Sequence, residues 1–181
     1  MRKLAAAFCA VVAIATSCGG ESESTEKFLV RVDLISDAVA AVEKWNAEQP
    51  TSLIEVGESE LSYFEINATP ELVNIYVATD EATSAVGFVY DEDGLSEPVS
   101  PRDASGSTVK WSEIDKDIAK TAVYERVVES LPNSRLSRFV IGRDPDFGQL
   151  TYRVIMISAS GGELAAYVEP SGKIIGGDLL G

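Results

Sequence analysis

Leu150-Thr-Tyr-Arg-Val-Ile-Met-Ile-Ser158, then Gly161-Gly162, then Glu163-Leu-Ala-Ala-Tyr-Val168 is the stretch from which the fold is read. Both runs are rich in β-branched and aromatic residues and a glycine pair separates them, so the segment predicts a β-hairpin. Pro170-Ser171-Gly172 closes it with turn chemistry. Immediately upstream, Leu136 to Ile141 predicts one more strand and Arg143 to Gly148 a loop. Before these, Ile114, Ile118, Ala122, Val123 and Val127 recur at helical spacing, which predicts a helix capped by Ser112 and ended by Leu131-Pro132-Asn133.

The first half reads in the same order. Ser36 or Asp37 can cap a helix through Ala38, Val39, Val42 and Trp45 to about Glu48, where Pro50 stops it. Extended runs follow at Leu53 to Val56, Leu61 to Ile66, Leu72 to Thr79 and Ala85 to Tyr90, and Asp91-Glu92-Asp93-Gly94 supplies a turn. The halves overlay with Leu72 on Leu150 and Gly94 on Gly172, which suggests an internal repeat. The expected fold is therefore α+β: two tandem helix-plus-antiparallel-sheet modules in two layers, spanning residues 31–100 and 108–181. The Pro-, Ser- and Gly-rich stretch from Pro98 to Thr108 would join them.

The first 30 residues read differently. Arg2 and Lys3 precede a short apolar run, Leu4 to Ala15, that leads to Ala15-Thr16-Ser17-Cys18, the anatomy of a signal segment over residues 1–17. The run is shorter than the roughly 20 residues a spanning helix needs. Residues 18–30 begin with a polar, acidic tether, Gly19 to Lys27. The segment resembles those of bacterial lipoproteins, whose lipobox ends in an acylated cysteine, although Ala15 stands where leucine is usual. That resemblance implies lipidation at Cys18 and a place in the cell envelope, held on the extracytoplasmic side of a bacterial membrane by the lipid.

Charge and composition exclude much. The chain carries 29 acidic and 15 basic residues, a net charge of −14, and taking away the two charges of Arg2 and Lys3 leaves −16. Such a surface repels phosphates, so nucleic acid is not an expected partner. Histidine is absent, and the cysteines are Cys9 and Cys18, both near the N-terminus. Cys/His zinc sites, histidine bases and Ser-His-Asp triads are thus excluded, and no metal or cofactor is expected.

The remaining motifs have plain explanations. Asp91-Glu92-Asp93-Gly94 lacks the spaced glutamate of a calcium loop. Asp146-Phe147-Gly148 copies the kinase metal-binding tripeptide with no phosphate loop beside it. Ser24 and Lys27 have a serine-x-x-lysine spacing, but in the tether, where nothing packed can orient a nucleophile. Among so many carboxylates, nothing in the sequence singles out a glycosidase pair.

Strand alternation places Tyr63, Tyr76 and Tyr167 opposite the Phe64/Ile66, Ile75/Val77 and Leu164/Val168 sets, with Arg153 on the neighbouring run. Helices cover one face of a sheet, so these tyrosines would line the open face, as a recognition surface or as sheet padding. The second half, with Thr151-Tyr-Arg-Val154, Gly161-Gly162 and Tyr167-Val-Glu-Pro-Ser-Gly-Lys-Ile174, resembles a PepSY-type module, except that Glu169 replaces an aspartate. Two in tandem are similar in layout to β-lactamase inhibitory protein. The resemblance implies a binding or inhibitory module without catalysis. The tyrosine face, framed by an acidic surface, suits a protein or peptide partner that carries basic residues. The alternative is a structural or accessory envelope lipoprotein, and an enzyme is the least expected outcome.

Overall fold

A computed structural model describes residues 30–114, 134–145 and 148–180. After a 3-10 turn at Val32–Leu34 comes one α-helix, α1 (Ile35–Glu48). The strands are β1 (Ser62–Ala68), β2 (Val73–Thr79), β3 (Ser84–Asp91), β4 (Gly94–Leu95), β5 (Val99–Asp103), β6 (Val109–Lys110), β7 (Arg135–Arg143), β8 (Leu150–Ile157), β9 (Glu163–Val168) and β10 (Ile174–Leu180). All belong to a single sheet in the order β10-β9-β8-β7-β1-β2-β3-β4, with β5 also paired to β3 and β6 to β1. Every pairing is antiparallel.

This overturns the expectation of two helix-plus-sheet modules. The two strand sets do not close as separate bodies, because β1 pairs β7 through Glu65↔Gly142, Ile66↔Ile141, Asn67↔Val140 and Ala68↔Phe139. Hydrogen-bonding the two inner edges removes both from solvent, and one continuous sheet results. The described residues contain one α-helix. The second expected helix falls largely on residues 115–133, outside the described residues. Its expected cap, Ser112, lies in a 3-10 turn, Trp111–Glu113, that ends in extended backbone at Ile114.

The N-cap of helix α1 lies two or three residues before the expected ones. Ser36 and Asp37 fall inside its first turn, and Leu34 stands at the N-cap with no side-chain cap. Its buried residues Ile35, Ala38, Val39, Val42 and Asn46 repeat at three- and four-residue spacing, so one stripe faces the sheet. Trp45 meets Phe88 of β3 edge-on, with centroids 5.0 Å apart. Under the helix, alternate residues of β1, β2, β3, β7, β8 and β9 form the main core, including Ile66, Ile75, Phe88, Phe139, Tyr152 and Val168. The opposite face holds a smaller buried set, Val140, Ile155 and Ala165, against which Tyr167 packs.

Three local differences from the sequence reading have visible causes. Leu53 to Val56 is not a strand, because the Leu53 and Ile54 N–H groups donate to Asn46 Oδ1 (2.6 Å) and Ser52 Oγ (3.0 Å) rather than to a ladder. Strand β5 lies inside the stretch expected to be a linker, and as an exposed edge strand it tolerates Pro101. Strand β10 follows the Pro170-Ser171-Gly172 turn, in which Gly172, at φ +82°, donates its N–H to the Glu169 carbonyl at 2.8 Å.

Candidate functional site

Cys18 lies outside the described residues. Tyr63 does not join the other tyrosines, a correction that follows from a β-bulge. The register jumps from Tyr63↔Val77 to Glu65↔Tyr76, so Phe64 is an extra residue and the alternation reverses there. Tyr63 and Ile66 consequently share the core face, where Tyr63 is wholly buried. Burial is the largest cause that pushes its phenol pKa upward, and the charges of Glu43 and Glu60 add to the shift. Among the described residues its hydroxyl has no hydrogen-bond partner.

Tyr76 and Tyr167 do lie on the face opposite α1. Tyr76 pairs with Gly87 on β3 and is 38% exposed. A Cβ built on Gly87 would sit 3.5 Å from the Tyr76 ring, so the ring lies over the space the glycine leaves. Tyr167 repeats the arrangement on the far side. It pairs with Gly176 of β10, whose notional Cβ would be 4.0 Å from its ring. The tyrosines belong to β2 and β9, four strand spacings apart, or roughly 19 Å.

Between them runs a polar seam. Arg153 is the cross-strand partner of Tyr167, and its guanidinium donates to Glu65 Oε2 at 2.8 Å. Glu65 in turn is the cross-strand partner of Tyr76. Arg138 of β7 likewise reaches over β8 to Glu163 of β9, at 3.2 Å. The face thus presents two tyrosines with paired charges between and beside them.

A second feature gave no signal in the sequence. Segment 49–61 turns away from the end of α1 and leaves a cleft of about 530 Å³, whose walls include Glu43, Ala47, Pro50, Ile54, Glu60 and Leu61. Asn46 holds the near side of the segment through Leu53 and Ser52. On the far side Glu58 pairs with Lys110, and Glu60 accepts from the Ser112 hydroxyl at 2.6 Å. Glu43 and Glu60 are far apart in the chain and belong to no motif, so only the fold brings them to one cleft. The described residues contain no group of three or more His, Cys, Asp or Glu side chains arranged to hold a metal ion. None of their helices is long and apolar enough to cross a membrane.

No protein-family model and no curated protein matches the chain. The PepSY resemblance and the inhibitory-protein layout therefore gain no support from these comparisons. Among solved structures, the chain is similar to that of a candidate lipoprotein from Clostridium difficile 630 at 8% identity, with a TM-score of 0.46, over 66% of this chain and 83% of that one. A likeness of that degree carries no argument about function.

Proposed function

We propose that the chain is an envelope lipoprotein, anchored through Cys18, whose folded domain binds a protein or peptide partner and performs no chemistry of its own. The anchor rests on Arg2-Lys3, the apolar run to Ala15 and the position of Cys18 ahead of a polar tether. The observation that supports binding is the placement of Tyr76 and Tyr167 on the face opposite α1, with Arg153 and Glu65 between them. Tyrosines offer rigid contact area and a hydroxyl, and the strongly acidic chain would draw a basic partner by long-range attraction. Two measurements test the proposal. Mass spectrometry of the membrane fraction should find acyl chains on Cys18. Capture of an envelope partner should weaken with rising salt and fall on Tyr76→Ala or Tyr167→Ala while the melting temperature stays within a few degrees.

A second reading, a structural or accessory lipoprotein, is favoured by the way each tyrosine covers a glycine on its neighbouring strand. Aromatic cover of a strand glycine stabilises a sheet without any ligand. On that reading Tyr76→Ala and Tyr167→Ala lower the melting temperature sharply and no partner is captured.

A further inference from the structure

We infer that the outer edge of β10 takes up an extended peptide as an added antiparallel strand, one that carries a lysine or arginine opposite Asp178 and, two positions later, a large apolar residue opposite Gly176. The inference rests on the partner-binding reading above and names how that partner is held. The two lateral edges of the sheet differ in character. At one, β4 is two residues long, and β5 carries Pro101, which has no N–H to offer a further strand. At the other, β10 runs seven residues, Ile174–Leu180, without a proline, and pairs only with β9 among the described residues. Gly176 and Gly177 are exposed there and have no side chains to screen the backbone.

The hairpin decides which groups point outward. The Glu169 N–H donates to the Lys173 carbonyl, so by alternation Tyr167, Ala165 and Glu163 direct their backbone groups toward β10. Their partners Gly176, Asp178 and Leu180 face β9 in return, and Gly177 and Leu179 turn N–H and C=O outward. A strand bonded to Gly177 and Leu179 sets its intervening residue opposite Asp178, where a cation is favoured. Two positions later it faces Gly176, whose notional Cβ is 4.0 Å from the Tyr167 ring, so a large side chain there extends the aromatic surface.

A second copy fits this edge poorly. Pairing Gly177 with Leu179 of a copy centres on Asp178 and sets two aspartates in a non-hydrogen-bonded pair, with Cα atoms about 4.5 Å apart. Centring on Gly177 opposes Leu179 to Ile175, where the register shift between Ile174 and Gly176 breaks the ladder. The net charge of −14 also repels a copy and draws a cationic strand.

The test is anisotropy titration of the folded protein, at low salt, into labelled acetyl-Thr-Val-Lys-Val-Tyr-Val-Thr-amide, with the lysine set opposite Asp178 and the tyrosine opposite Gly176. Saturable binding is expected. N-methylation of the central valine, whose N–H meets the Gly177 carbonyl, should weaken it by about tenfold, while N-methylation of the tyrosine, whose N–H points away from β10, should change it by less than about twofold. Asp178→Lys should weaken the peptide by about tenfold without lowering the melting temperature, and glutamate in place of the peptide lysine should restore binding to that variant. Absence of saturable binding, or an equal response to the two methylations, overturns strand addition. An equal response together with weakening by Tyr76→Ala leaves the tyrosine face as the partner's site, whereas indifference to both methylations, Asp178→Lys and Tyr76→Ala removes that reading as well. Sedimentation at micromolar concentration should show a monomer, and a dimer that the peptide breaks gives the edge to a second copy and overturns the assignment.

Discussion

Arg153 on β8 and Glu65 on β1 meet at 2.8 Å across the full width of β7, joining positions 88 residues apart. The residue of β7 paired with Glu65 is Gly142, which places no side chain in the path of the guanidinium. Both charged side chains are about one-third exposed, so the pair should contribute modestly. A double-mutant cycle with Glu65→Gln and Arg153→Met is expected to give a coupling of about 0.5–1 kcal/mol, shrinking as salt rises. A coupling that salt does not change would mean the two side chains interact through packing rather than charge.

The turn between β2 and β3 carries strain that can be relieved. Asp80, Glu81 and Ala82 all have positive φ, at +54°, +56° and +59°. For L-residues that conformation costs roughly 1–2 kcal/mol each, and Ala82 has no polar side chain with which to offset it. Ala82→Gly should therefore stabilise the protein by about 0.5–1 kcal/mol after the added freedom of the unfolded chain is subtracted. Denaturant unfolding reads this directly, and a loss of stability would show that the alanine methyl makes a contact worth more than the strain.

Pairing of β1 with β7 predicts how the molecule comes apart. Two modules joined by a linker would unfold separately, whereas a sheet continuous through β1 and β7 should melt in one calorimetric transition. Proteolysis should cut first at Ala104 to Thr108, which is exposed or half-buried and outside the strands, and the nicked halves should stay associated until denaturant is added. Recovery of one stable half with the other degraded would contradict the shared sheet.

The strands and turns legible in the sequence were those with strict alternation and glycine punctuation. The hairpin of β8 and β9, the runs of β2 and β3 and the Asp91 to Gly94 turn all stand where those patterns put them. What could not be read was non-local. Nothing in Glu65 to Ala68 or Phe139 to Gly142 announces that these two segments pair, and that pairing converts two expected bodies into one sheet. The candidate binding face was half legible. Tyr76, Tyr167 and Arg153 share it by simple alternation, while one extra residue at Phe64 sent Tyr63 to the core, and a bulge leaves no mark in Ser62-Tyr-Phe-Glu-Ile66. The cleft was not legible at all, because Glu43 and Glu60 acquire meaning only when α1 and segment 49–61 are folded together.

Tyr63 yields the sharpest stability prediction, because its ring and its hydroxyl act in opposite directions. The ring fills the core beside β2 and β6, so Tyr63→Ala should cost about 3–5 kcal/mol. The hydroxyl is buried without a partner among the described residues, so Tyr63→Phe, which keeps the ring, should stabilise the protein by about 1 kcal/mol. The pH dependence follows from the raised pKa. The folded state holds the phenol proton more tightly than the unfolded chain, so this contribution is complete below the ordinary tyrosine value near 10 and is lost as pH climbs above it. Alkaline unfolding of the wild type should therefore begin at lower pH than that of Tyr63→Phe, and the Tyr63 phenolate absorbance should rise only as the protein unfolds. If Tyr63 ionises reversibly in the folded state near pH 10, its hydroxyl reaches water and both the burial and the stabilising substitution are wrong.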